Sequence, residues 1–146
     1  MAPLICLIAA FVIFRVLGVA VPYFGEWPHS LCAALGAVFL LTASAHWGKR
    51  RPDLVRMVPR NICSPGLWVS VTGVAEIAIA IGLQIPFLAG WTAGIAILML
   101  CCLFPANIKA AREHLTLLQK PVLPILPRLV LQLIFIGALL AAGWPR

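Results

Sequence analysis

Charge is what this sequence has least of. Only 10% of its 146 residues are Asp, Glu, Lys or Arg, against roughly 25% in an average soluble domain. Hydrophobic residues make up 63%, so the polar surface needed to face water is missing. Paired cysteines are missing too. Cys6, Cys32, Cys63, Cys101 and Cys102 are odd in number and form no CxxC, which argues against a disulfide framework or a zinc site of standard spacing. Cys101 and Cys102 are chain neighbours that point apart on a helix, and they read as small buried apolar side chains. No GxSxG, HExxH, P-loop or Gly-rich dinucleotide fingerprint occurs. The net charge of +7 does not read as nucleic-acid binding, because the basic residues are confined to short gaps between apolar runs.

What is present is a set of five apolar runs of the length that crosses a hydrocarbon core, ~20 residues each. They extend from about Pro3 to Val21, Pro28 to Trp47, Leu67 to Gln84, Phe87 to Pro105 and Leu126 to Trp144. They are too long for strands and lack alternation. The expected fold is all-α, a single membrane helical bundle of four core helices plus one N-terminal transmembrane helix. The first run has an alternative reading as a cleaved signal peptide, opposed by Arg15 within it and by the absence of a basic start.

The connections set an orientation. Lys49, Arg50, Arg51, Arg56 and Arg60 fall between the second and third runs, and Lys109, Arg112, Lys120 and Arg128 between the fourth and fifth or at its start; Pro22 to Trp27 and Ile85 to Pro86 carry no Lys or Arg. The positive-inside rule places the two basic connections in the cytoplasm, with the N-terminus inside and the C-terminus outside. Trp27, Trp91 and Trp144 then fall at outer ends, and Trp47 and Trp68 at inner ends, where indoles are favoured. The segment 51–58 is expected to start a short interfacial helix with Pro52 in its first turn. Pro105 is expected to kink or end the fourth helix, with an amphipathic stretch from Asn107 to Leu118 after it.

A few polar side chains fall at membrane depth, where an ionised group costs ~2.5–3.5 kcal/mol on insertion scales and usually finds a partner. Arg15, about twelve residues from the inner end of its helix, and Glu76, about nine, lie at similar depth. They are expected to pair or to share a polar network; the alternative is Arg15 reaching outward to the interface. Thr72 lies one turn before Glu76 on the same face, and Gly73 beside it permits close helix approach. With His46, Asn107 and Gln132, these residues are expected to line one inward-opening cavity. No metal site is expected. His29 and His114 fall on opposite sides of the membrane, which disfavours a haem held by two histidines.

Several of these residues carry a resemblance. His46-Trp47 through Arg56-Met57-Val58-Pro59, Thr72-Gly73-Val74-Ala75-Glu76, Gly82-Leu83-Gln84-Ile85-Pro86, Phe104-Pro105-Ala106-Asn107-Ile108, and Arg128 with Gln132 resemble, in order and spacing, motifs of the DoxX-like family of small bacterial membrane proteins. The match covers roughly Leu31 to Leu140. Trp47 stands where that family is expected to have Phe, and Arg60-Asn61-Ile62-Cys63 replaces a more Pro-rich connection. The resemblance implies a four-helix core in the bacterial inner membrane and no established activity for most members. It also implies a link to redox complexes, through a thiosulfate:quinone oxidoreductase subunit that gives the family its name.

Three functions follow as expectations. The first is a non-catalytic membrane subunit with a protein partner in a redox-linked complex. The second is a quinone- or lipid-binding bundle anchored by Glu76 and His46. The third is a small proton-coupled transporter, for which no inverted repeat is evident.

Overall fold

The computed structural model describes residues 2–59, 61–118 and 120–143. The chain is an all-α bundle: α1 (Ala2–Leu17), α2 (Trp27–Ser44), α3 (Arg51–Met57), α4 (Pro65–Gly82), α5 (Pro86–Arg112) and α6 (Ile125–Gly143). A 3₁₀ turn (Pro22–Gly25) joins α1 to α2, and a minimal hairpin of β1 (Thr116–Leu117) and β2 (Lys120–Pro121) precedes α6. Proline sits in the first turn of α2, α3, α4 and α5, where its missing N–H has no helical partner to lose.

Four helices, α2, α4, α5 and α6, are long and apolar enough to cross a membrane. The N-terminal helix is shorter than its apolar run. It has 16 residues, or about 24 Å of rise, and stops at Leu17 rather than Val21. The chain reverses there at Gly18, where a Cβ would lie 2.5 Å from the Phe24 carbonyl oxygen, so only glycine fits the turn. Apolar character continues through this reversal, so hydropathy alone overran it.

Helix α2 is the hub. It packs against α1, α4 and α6, and 56% of its span is buried, against 11% for α6. The exposed faces of the outer helices carry residues such as Val74, Leu98 and Leu133, the surface that a bilayer, rather than water, solvates. Cys101 and Cys102 lie on this exposed surface, which corrects their expected burial: the outside of a membrane bundle is as apolar as its core. Trp27, Trp47, Trp68 and Trp91 are all exposed and sit near helix ends; Trp144 lies outside the described residues.

The second connection contains α3, as the sequence suggests. The fourth helix differs from expectation. It runs through Pro105 to Arg112, tolerating the one hydrogen bond that proline removes. The stretch Asn107 to Leu118 is therefore not a separate helix. Its second half turns at His114 (φ 47°) and pairs as β1 with β2, in the register Thr116 to Pro121.

Both basic connections lie at the same end of the bundle. Lys109 Nζ on α5 donates to the carbonyls of Arg56 (2.7 Å) and Val58 (2.6 Å), closing the C-terminus of α3. Asp53 on α3 accepts from the Leu118 N–H at 2.9 Å and pairs with Arg56. Those two bonds hold the Asp53 carboxyl below its ordinary value. Arg60 lies outside the described residues.

Candidate functional site: a buried histidine–glutamate pair

The buried stripe of α4 reads Val69, Gly73, Glu76, Ala80, Leu83, the three-and-four spacing of one helix face. It packs against α2 in antiparallel register. Gln84 donates to the Cys32 carbonyl at 3.1 Å near one end. At the other end, Gly73 receives His46 and Trp47, where a Cβ would meet His46 Cβ at 2.7 Å. Glu76 is the only ionisable residue of this stripe. Its position along α4, about 16 Å of rise from Pro65, puts it just past the midpoint of this 18-residue helix.

His46 lies two residues beyond the last residue of α2, and its imidazole turns back against α4. Its Nδ1 is 2.6 Å from the Val69 carbonyl oxygen. A carbonyl can only accept, so Nδ1 carries a proton. The other nitrogen, Nε2, faces Glu76 Oε2 at 3.4 Å. That placement lets the charge of one group act on the other. Both side chains are about nine-tenths buried. The separation is long for a hydrogen bond, and Oε2 makes none among the described residues. Burial works against charge on His46 and the nearby Arg51 adds to that. The contact and charge of Glu76, with the Val69 carbonyl, outweigh both and raise the His46 pKa above its ordinary value.

Around the pair, Thr72 Oγ1 back-bonds to the Trp68 and Val69 carbonyls at 2.9 and 3.1 Å and lies 3.4 Å from His46 Nδ1. Arg51 donates to the His46 carbonyl (2.8 Å), the Gly66 carbonyl (3.0 Å) and Ser70 Oγ (3.0 Å), fastening the end of α2 to the first turn of α4. In the sequence Arg51 is one basic loop residue among several, so this positioning role has no separate signal. Its only mark is its place at the start of a Pro-initiated turn.

The expected constellation therefore divides. His46, Thr72 and Glu76 come together. Arg15 does not join them: its guanidinium donates to the carbonyls of Phe24 (3.2 Å) and Gly25 (2.6 Å) at the opposite end of α2. The expected equal depth does not hold: Arg15 lies at the α1–α2 turn, Glu76 meets His46 toward the other end of α2, and α1 packs mainly on α2 and the 3₁₀ turn. Asn107 accepts from Arg128 at 2.6 Å, joining α5 to α6. Gln132 is half-buried on α6 and makes no hydrogen bond among the described residues.

An all-α bundle with four membrane-length apolar helices and one buried His–Glu contact defines a small multi-pass membrane protein. The chain belongs to the family described as Domain of unknown function (DUF8561), whose model matches residues 35–142, from the core of α2 to the end of α6. No curated protein matches it, and no solved structure does.

Proposed function

We propose that this protein is a small binding subunit of the bacterial inner membrane, in which the His46–Glu76 pair holds the polar head of a membrane-soluble ligand of the quinone class within a redox-linked complex. The observation that carries this reading is Glu76 Oε2, a buried acceptor with no hydrogen-bond donor among the described residues. A quinol hydroxyl supplies the donor that this oxygen lacks, and His46 beside it holds or releases the neighbouring proton. Resemblance to the DoxX-like family supports the redox setting, and two of the motifs behind it, at His46 and at Thr72–Glu76, meet in space. The basic end of the bundle faces the cytoplasm in this reading, with the N-terminus inside and the C-terminus outside.

The test is to purify the chain in mild detergent, extract it with organic solvent and quantify quinone, recording co-purifying proteins in the same samples. Wild type is expected to retain quinone near one per chain, and Glu76→Gln, checked for helix content, to lose most of it. Equal retention by both, or none in wild type, contradicts the reading. The competing reading is a purely structural pair that fixes α2 on α4, and the clamping of His46 by Val69 and Arg51 favours it. It predicts lost stability with no ligand in either sample.

A further inference from the structure

The basic end of the bundle contains a cleft that the His46–Glu76 site does not use. It has a volume of about 510 Å³ and lies between α3, the 58–65 connection and the last turn of α5. Val55, Val58, Ile62 and Leu115 make its apolar wall. Arg56 and Lys109 bring two positive charges to its lining and Glu113 one negative charge; Asp53, behind the lining, pairs with Arg56. Lys109 uses two of its three N–H groups on the carbonyls of Arg56 and Val58, leaving one. The Arg56 guanidinium meets Asp53 through Nη2 alone, so the rest of its fork is free of partners among the described residues.

A ligand for this cleft must have an anionic head with several acceptor oxygens and an apolar body continuous with it. Depth narrows the choice. The cleft is built on the interfacial helix α3, at the same end as Trp47 and Trp68, where lipid headgroups meet the acyl region. The surrounding charge favours an anion further, with Arg112 next to Glu113 in the chain.

We propose that this cleft is a binding site for an anionic phospholipid. The phosphate lies against Arg56 and Lys109, and the first acyl carbons lie along Val55, Ile62 and Leu115. A phosphodiester suits a guanidinium fork, which donates two parallel bonds to it.

The test uses the full chain in detergent, titrated with phosphatidylglycerol, phosphatidylcholine or inorganic phosphate, with bound lipid read by native mass spectrometry. Phosphatidylglycerol is expected to bind well above phosphatidylcholine, and inorganic phosphate at equal concentration not to displace it. Arg56→Gln is expected to weaken phosphatidylglycerol about fivefold, the effect of one basic residue near a headgroup. Glu113→Gln is expected to strengthen it by a similar factor, a gain that misfolding cannot mimic. Lys49→Gln, which changes an exposed charge outside the cleft, is expected to leave it within a factor of two. The proposal is overturned by equal binding of the two lipids, by displacement with free phosphate, by no gain in Glu113→Gln, or by equal losses in Lys49→Gln and Arg56→Gln.

Discussion

Cutting the His46–Glu76 pair from its two sides is expected to have unequal effects. In His46→Ala, Glu76 stays on the buried face of α4, about 16 Å along the helix, with no cation beside it. Its side chain is only 9% exposed, so water cannot replace the lost partner. An unpaired charge at that depth costs ~2.5–3.5 kcal/mol. In Glu76→Gln the amide keeps the shape and some hydrogen-bonding capacity. His46, just past the end of α2, keeps its Nδ1 on Val69 and can shed a proton. The loss is then that of one polar contact, about 1 kcal/mol. The expected gap is about 2 kcal/mol at pH 7, measured by equilibrium unfolding in mixed micelles of rising SDS fraction, followed by helix circular dichroism. The pH dependence gives a second readout. The folded pKa of His46 is raised, so its linked stabilisation is fully present below the unfolded imidazole value of about 6.5 and is lost as pH rises through the folded value. Glu76→Gln is expected to flatten that slope. If Glu76→Gln costs as much as His46→Ala, or keeps the wild-type slope, the pair is not the coupled, buried contact described here.

Three further outcomes are expected. Gly73→Leu drives a side chain into His46 and Trp47, which already stand within 2.8 Å of an added Cβ; a loss of about 1–3 kcal/mol and a changed Trp47 fluorescence are expected, whereas Gly94→Leu, with open space at that position, is expected to leave both near wild type. Arg51→Gln removes three hydrogen bonds between the end of α2 and the start of α4. It also removes the cation that opposes charge on His46, so stability is expected to fall by about 2 kcal/mol while the His46 midpoint moves further up in an NMR titration. Asp53→Asn weakens the hold on the β1–β2 hairpin at Leu118 and is expected to speed amide exchange there. Because the folded Asp53 pKa is depressed, wild type is expected to keep this hold above about pH 4 and lose it as pH falls through the lower folded value.

The long helices were legible because a membrane helix announces itself by apolar length, and Pro at the first turn marks where several begin. The close approach of α4 to His46 was legible in Gly73. Where the reading failed, hydropathy and local propensity were silent about the cause. The end of α1 coincides with a close backbone approach at Gly18, which no apolar average registers. Pro105 is a stop signal in water and only a missing hydrogen bond inside an apolar helix. The β1–β2 hairpin depends on Asp53, some sixty residues away in the chain. Arg15 and Glu76 were matched by residue counts along their runs, but α1 ends early and Arg15 turns onto the Phe24 and Gly25 carbonyls, which was not readable from one chain. Asn107 was drawn away from the site for the same reason: Arg128, across the α5–α6 contact, holds it.

His46 Nε2 and Glu76 Oε2 face each other in a buried contact at 3.4 Å, and the reading of this site depends on the coupling between them. A ¹⁵N NMR titration of the His46 ring in lipid nanodiscs tests it most directly, comparing wild type with Glu76→Gln. The account expects Nδ1 to remain protonated throughout in wild type, Nε2 to titrate above the usual imidazole range, and the midpoint to fall in Glu76→Gln. A wild-type midpoint at or below that range, unmoved by Glu76→Gln, would contradict it.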